Sequence, residues 1–359
     1  MHKTALHAAH IKLDAKMGEF AGYDMPLYYS LGVKKEHEWV REKAGLFDVS
    51  HMGQISIKGT GSQDFLEKIT PSSYRKLGIN RTKYTVLTNE QGGIIDDLMV
   101  TKTDEEEFHC VINAGCKDKD IAWIKSQLSE TVEFTHYDDW ALLALQGPKA
   151  EKIIKDVLGK DLSDVPYMGL WYEDYTMFCS RLGYTGEDGF EISIKNEDAP
   201  KLWDQLLAHE DVEPIGLAAR DSLRLEMGYC LYGHDIDATT TPLEADLGWV
   251  MGKGNESYIG VEHVKTPQKK RVGVKLTGKG IAREGAEIRS MQDKKIGELT
   301  SGGYSPTLEC AIGQGYVPIE YAEKGTSVLI NVRGRNIEAE ITPMPFVSAK
   351  TKSTKVKAA

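Results

Sequence analysis

The chain has 359 residues, with 44 Lys+Arg against 54 Asp+Glu and a formal net charge of −10, a balance that argues against a dedicated nucleic-acid binder, which carries a basic excess. No stretch approaches the roughly 20 apolar residues that span a bilayer, and the opening MHKTALHAAHIKLDAK lacks both an apolar export core and a transit-like composition. With 41% apolar residues and about 100–200 residues per domain, the expectation is a cytoplasmic protein of two or three domains, without nucleic-acid or membrane partners.

Residues 1–50 combine a polar start, the Gly/Pro-interrupted GEFAGYDMPLYYS and a helix-like KKEHEWVREKAG. In HMGQISIKGTG, Ile55 and Ile57 alternate with polar residues as in a strand, and SQDFLEKIT then has helical spacing. The clearest hairpin array follows. Strand-like runs at 83–88, 94–102 and 108–113 are joined by the turn NEQGG and by the acidic turn DEEE at 104–107. KDKDIAWIKSQLSE, at 117–130, reads as an amphipathic helix.

A second round begins at WALLALQGPKAEKIIKDVLGK, a strand passing through a Gly-Pro turn into a helix near 148–159. It continues with an antiparallel pair around 175–195, a helix in DAPKLWDQLLAHE and another at 216–232. Strands followed by helices, twice over, indicate α+β subdomains. After a linker at 262–271, closely spaced short strands with glycine-rich turns predict a small β-barrel of about 80 residues. The last ten residues, KTKSTKVKAA, carry four lysines and no acid, the composition of a frayed tail.

Cys110, Cys116, Cys179, Cys230 and Cys310 are scattered with no C-x-x-C pair, so free thiols are expected rather than a disulfide framework. His7 and His10 lack Cys or acidic partners at ligand spacing, so no metal site is expected.

Three places require a chemical explanation. Asp96 and Asp97 sit in the run Ile94-Ile95-Asp96-Asp97-Leu98-Met99-Val100. Adjacent strand residues point to opposite faces, so each carboxylate falls among apolar neighbours. Either this is an edge strand with both groups solvated, or one is aimed into a ligand site, where it could manage protons on a nitrogen nucleophile. In GYTGEDGFEISIK, Glu191 shares a strand face with Ser193, opposite Phe190, Ile192 and Ile194. It is an ordinary exposed Glu or, if that face lines a pocket, an acceptor for two parallel N–H bonds from a guanidine-like edge. On the helix 216–229, Arg220, Asp221 and Arg224 could form surface ion pairs, but Leu217, Leu223 and Leu225 mark a buried helix, where an arginine needs an anionic partner.

The stretches FAGYDMPLYY, GLFDVSHMGQ, YTVLTNEQGGIIDDLMV, VINA, ALQGPKA, GYTGEDGFEI, GLAARDSLRLEMGYCLYGHDID, TPLEADLGWV and TSGGYSPTL resemble, in this order and across essentially the whole chain, the aminomethyltransferase family, the T-protein of the glycine cleavage system. The resemblance implies an α+β fold. It would be a three-domain cloverleaf of two interleaved α+β domains plus a C-terminal β-barrel around a central folate site. Transferred to this chain, residues 1–262 would form the folate-binding region. Its subdomains would be roughly 1–50 with 138–225 and 51–137 with 226–262, followed by a barrel at 268–348 and a basic tail at 349–359.

The implied activity is transfer of a methylene carbon from an aminomethyl group on the lipoyl arm of the H-protein to tetrahydrofolate, releasing ammonia. By motif, Asp97 is the family's key acid near the folate N10, Glu191 holds the pterin's amino-pyrimidine edge, and Arg220 is a further ligand-binding position. Met52, Tyr84, Asn113, Tyr184 and Tyr229 match pocket-lining positions. The chain departs from the pattern in three places. Tyr23-Asp24 stands where many relatives have Trp, Leu182 where threonine is usual, and no tyrosine follows Pro345-Phe346. Two other functions share the scaffold. One is a tetrahydrofolate-dependent demethylase of a small methylated substrate. The other is a non-enzymatic folate-binding iron–sulfur assembly factor, whose cysteine motif is replaced here by TSGGYSPTLE.

Overall fold

The computed structural model describes residues 1–173 and 176–352. Its backbone is organised by an eleven-stranded sheet and a closed six-stranded barrel. The sheet has two halves. In the first, Val212–Pro214 runs parallel to Ala44–Asp48, and antiparallel pairing continues through Trp140–Gln146, Gly189–Lys195, Met177–Arg181 and Gly169–Glu173. The second half is the antiparallel series Arg81–Thr88, Ile94–Asp104, Glu107–Ile112, Gly53–Lys58 and Glu133–His136. A narrow junction joins them, with Gly169 opposite Arg81.

The sequence explains the layers. All seven residues of WALLALQ are buried, because that strand is covered on both faces and so reads as a continuous apolar run. The helices Ala150–Leu158 and Ala199–Leu207 cover one face with Ile153, Ile154, Leu202, Trp203 and Leu206. The helices Val33–Glu42 and Leu217–Glu226 cover the other, where Val40, Ala219 and Leu223 meet Phe47, Leu142 and Ala144. In the second half, Phe65, Leu66 and Ile69 of Ser62–Ile69 and Ile124 of Lys117–Gln127 pack on Ile55, Ile57, Val100 and Phe108.

The hairpin array forms where the periodicity put it. It differs from one alternative in position: Ile94–Asp104 is flanked by strands on both sides, so Asp96 and Asp97 are not on a solvated edge. The helix expected over 216–232 ends at Glu226. Gly228 then takes φ 63°, the left-handed geometry that ends helices at glycine. The antiparallel pair around 175–195 is Met177–Arg181 with Gly189–Lys195; residue 175 lies outside the described residues.

The barrel runs Lys269–Leu276, Cys310–Pro318, Lys295–Ser305, Glu287–Arg289, Ser327–Val332 and Arg335–Thr342, closing on the first strand. Beyond it the chain returns to the sheet. The Lys350 amide donates to the Gly186 carbonyl at 2.7 Å, and Lys352 Nζ reaches Glu151 Oε2 at 3.0 Å. The remainder of the expected basic tail, 353–359, lies outside the described residues. All five cysteines are free. Among the described residues, no helix is long and apolar enough to cross a membrane.

Candidate active site

The two sheet halves, the helix Leu217–Glu226 and the end of the barrel chain meet around a cavity of about 790 Å³, within the ~300–1,000 Å³ range of small-molecule sites. All eight candidate residues line it: Met52, Tyr84, Asp97, Asn113, Tyr184, Glu191, Arg220 and Tyr229. Residues separated by up to 177 positions in sequence (229 − 52) therefore converge on one space.

Asp97 is held at both oxygens. Asn113 Nδ2 donates to Oδ1 at 2.8 Å, and the Tyr84 hydroxyl donates to Oδ2 at 3.0 Å. Burial, with the adjacent Asp96 carboxylate adding to it, pushes the Asp97 pKa up to about 7, against these hydrogen bonds. Burial and then Asp97 raise the Tyr84 hydroxyl well above its usual range, so Tyr84 stays a donor. Asn113 follows Glu107–Ile112, and its backbone and side chain both reach Asp96, at 3.1 Å and 2.9 Å.

Glu191 and Arg220 face one another from the strand Gly189–Lys195 and the helix Leu217–Glu226. Burial raises the Glu191 pKa and Arg220 opposes that rise; burial lowers Arg220 and Glu191 opposes in turn. Neither has its bonding capacity filled. Arg220 Nη1 is buried without a hydrogen-bond partner, a costly state for a guanidinium. The structure therefore contains an open acid–base pair beside the cavity. Arg224, one turn on, is used differently. It bonds Asp221 Oδ1 at 2.8 Å, Asp235 Oδ2 at 2.7 Å and Ser301 Oγ at 2.9 Å, tying the helix to the barrel.

Flat aromatic surfaces complete the walls. Tyr184 stacks on Tyr229 at 5.6 Å between centroids, and the Arg220 guanidinium lies 4.9 Å from the Tyr184 ring. Tyr84 stacks on Trp249 at 5.5 Å. Met52 both lines the cavity and packs on the Phe47 cluster.

The candidate set omitted Trp249, which is 67% exposed although it lines the cavity. In LGWVM it reads as one more core residue, and only its exposure distinguishes it. His51, beside Met52, carries no sequence signal of its own. Its Nδ1 is buried without a partner, and burial, with Arg220 and Lys117 adding to it against Asp48, pushes its pKa down to about 4. It therefore faces the cavity as a neutral imidazole.

A cavity with a carboxyl raised toward neutrality, an open Glu–Arg pair and paired aromatic walls offers stacking faces and hydrogen-bonding groups beside a proton acceptor, the equipment of a small-molecule enzyme site. The comparisons give the family. Residues 6–255 match the model described as "GCVT N-terminal domain", and residues 269–348 match "Glycine cleavage T-protein C-terminal barrel domain". An aminomethyltransferase of Bacteroides fragilis is 41% identical over 360 residues, covering 96% of this chain and 99% of that protein. A mitochondrial aminomethyltransferase of Saccharomyces cerevisiae is 41% identical, with 97% and 94% covered. The crystal structure of glycine cleavage system aminomethyltransferase T from Bartonella henselae superposes with a TM-score of 0.95 at 38% identity, covering 98% of this chain and 99% of that one. The chain belongs to the glycine cleavage T-protein family of aminomethyltransferases, and its activity is aminomethyl transfer. The demethylase and iron–sulfur alternatives are not favoured by these relatives.

Proposed function

We propose that the cavity binds tetrahydrofolate, that the one-carbon donor is an aminomethyl group on the lipoyl arm of an H-protein, and that Asp97 manages the protons of the exchange. The observation that carries this reading is the Asp97 carboxyl, held at both oxygens with a pKa near 7 inside a cavity that also contains the open Glu191–Arg220 pair.

The residues fit the co-substrate. An amino-pyrimidine edge presents parallel N–H donors to Glu191, the buried Arg220 Nη1 gains an acceptor, and the Tyr184–Tyr229 and Tyr84–Trp249 pairs offer faces for flat rings. Folate supplies two nitrogen nucleophiles, and the methylene exchanges its bonds to sulfur and nitrogen for two bonds to them. The two protons displaced from those nitrogens balance the thiol and ammonia that leave. Asp97 is the chain's acceptor for such a proton, and a pKa close to working pH lets it accept and return one. Tyr84 and Asn113 fix its carboxyl plane, so that much of the rate gain comes from positioning. His51, neutral beside the cavity, adds no competing charge.

Two finer points accompany this reading. The interleaved division, 1–50 with 138–225 and 51–137 with 226–262, is supported by the narrow junction at Gly169 and Arg81. Cytoplasmic placement is supported by five free cysteines, which suit a reducing compartment.

The test is ammonia release from aminomethylated H-protein with and without tetrahydrofolate. Release that depends on tetrahydrofolate and yields the methylene adduct is expected. Release indifferent to it would reject the co-substrate.

A further inference from the structure

Beside the Asp96 carboxylate lies a buried carboxyl that no N–H or hydroxyl reaches. Asp120, on the helix Lys117–Gln127, is fully buried, and both of its carboxyl oxygens lack hydrogen-bond partners. A carboxyl oxygen of Asp120, one of Asp96 and the Cys116 sulfur all lie within 4.8 Å of one another. The cation next in sequence does not neutralise the group directly. Lys119 Nζ bonds the Ile95 carbonyl at 2.5 Å and the Tyr232 hydroxyl at 3.0 Å.

Two ionised carboxylates in this position would be a buried like-charge pair with one member lacking every donor, which is strongly unfavourable. One proton between them removes the conflict, leaving a carboxylic acid donating to a carboxylate, with a single net charge. The accepting member is Asp96, since its two oxygens already accept the Asn113 amide at 3.1 Å and Asn113 Nδ2 at 2.9 Å. The acid is then Asp120. The other titratable groups facing it agree. Burial and the Asp96 carboxylate push Asp120 strongly upward, Lys119 opposes weakly, and Asp97 adds to the rise. Burial and Asp96 also keep Cys116 a thiol. On the far side of Asp96, Tyr232 is raised by burial and remains a phenol.

The same Asn113 Nδ2 that bonds Asp96 also bonds Asp97, at the carbonyl oxygen (3.0 Å) and at Oδ1 (2.8 Å). With the proton in place, a continuous chain runs from Asp120 through Asp96 and Asn113 to the carboxyl in the cavity. We propose that Asp120 is a positioning residue that holds a proton against Asp96 and thereby fixes Asn113 and the charge felt by Asp97. The role of that chain in catalysis rests on the reading of Asp97 given above; the proton itself does not. Without the donor, the Asp96 charge is less compensated and its carboxylate is free to turn, so Asn113 and Asp97 are less fixed in place and Asp97 is harder to ionise.

Infrared difference spectra on the full-length protein, recorded well above the pKa of Asp97, test the proton directly. A protonated-carboxyl band present in the wild type, retained in Asp97→Asn and lost in Asp120→Asn is expected, and its absence from the wild type overturns the proposal. Steady-state kinetics with aminomethylated H-protein test the role. Asp120→Ala should lower kcat about tenfold, the scale of one lost buried hydrogen bond, with little change in the tetrahydrofolate KM and an acid limb moved to higher pH. Asp120→Asn, which restores an N–H donor to Asp96, should recover most of that loss. Full kcat with an unmoved limb in Asp120→Ala overturns the role, as does failure of Asp120→Asn to rescue a folded protein. A stoichiometric metal ion in the purified wild type that Asp120→Ala loses would overturn the proton in favour of a cation. Absence of tetrahydrofolate-dependent ammonia release in the wild type would reject the folate reading while leaving the infrared result standing.

Discussion

Asp97 faces two opposing requirements, a pKa high enough to accept a proton at working pH and a geometry rigid enough to use it. Burial and Asp96 provide the first, raising it from 3.8 to about 7, while Tyr84 and Asn113 provide the second. Replacing it with Asn keeps the shape and removes the proton acceptor. Methylene transfer should fall on the order of 10²-fold or more, the scale of a lost general base, and unchanged turnover with lipoylated H-protein would remove Asp97 from the chemistry. Stability should move the other way. A carboxyl whose folded pKa is raised favours the folded state at low pH and loses that advantage as pH rises from its unfolded value through about 7. The Asp97→Asn protein should therefore gain in melting temperature relative to wild type across that window, and a constant difference from low to neutral pH would contradict it. Glu191 makes a different contribution, as its carboxylate accepts no hydrogen bond among the described residues and is open to a ligand. Glu191→Ala should weaken tetrahydrofolate binding by about 10- to 100-fold, the cost of about 1.5–3 kcal/mol for a charged hydrogen bond; equal affinity by calorimetry would mean that the pterin end lies elsewhere. Asp97 stands out in the sequence because a carboxylate on an apolar strand conflicts with its surroundings, whereas Glu191, on the face opposite Phe190, Ile192 and Ile194, reads as an ordinary exposed Glu and is marked by the family motif. Asp120 does not stand out, because an acid in KDKDIAWIKSQLSE looks like one more solvated position on a charged helix.

At the scale of elements, the helix Leu217–Glu226 has charged side chains directed into three parts of the molecule. Arg220 faces the cavity, Arg224 bonds Asp235 and Ser301 toward the barrel, and Glu226 gathers donors from both ends of the chain. Arg41 Nη2 reaches Glu226 at 2.7 Å, Ser305 Oγ at 2.6 Å, and the Thr307 amide and hydroxyl at 3.1 and 2.9 Å. Burial favours the neutral acid, yet His37, Ser305 and Arg41 together pull its pKa down to about 2. That depressed value makes the carboxylate stabilising above its unfolded pKa of 4.5, with the contribution lost as pH falls toward about 2. Glu226→Ala removes one of the two carboxylates on Arg41, Glu187 remaining at 3.1 Å, and leaves Ser305 and Thr307 without their acceptor; it should cost about 3 kcal/mol, the lower end for broken buried pairs. Limited proteolysis should then release the barrel at its 262–271 connection, and an intact chain of wild-type stability would show that other contacts hold the barrel. Periodicity located this helix and the barrel strands but not their attachment. Asp221 and Arg224, at i, i+3, look like a surface pair until the barrel supplying Ser301 to Arg224 and Ser305 to Glu226 is in place. The joining of two α+β halves into one sheet was equally hidden, since it depends on Gly169 meeting Arg81 across 88 positions (169 − 81), and strand alternation carries no information about register at that range.

For the whole molecule, the cavity has no single owner. Tyr84, Asp97 and Asn113 come from the second sheet half, Glu191 and Tyr184 from the first, Arg220 from the connecting helix, and Arg271 and Met344 from the barrel region. The net charge of −10 does not announce an anionic ligand, and binding must rely on a few placed cations such as Arg220 against the overall field. Because every part contributes a wall, a ligand that fills the space binds only when all are in place, and its binding energy stabilises them together. At about 100 times its Kd, tetrahydrofolate should add about 2.7 kcal/mol to unfolding and shift the whole thermal transition upward as one event. If the barrel melted separately and only the remainder shifted, the barrel would be a passive lid rather than part of the site. Trp249, exposed at the cavity and stacked on Tyr84, provides an independent optical readout. Its fluorescence should change as the ligand replaces water against the indole, and Trp249→Phe should abolish that change while the calorimetric shift persists. A fluorescence change that survives the substitution would assign the signal to another tryptophan and place Trp249 outside the occupied space.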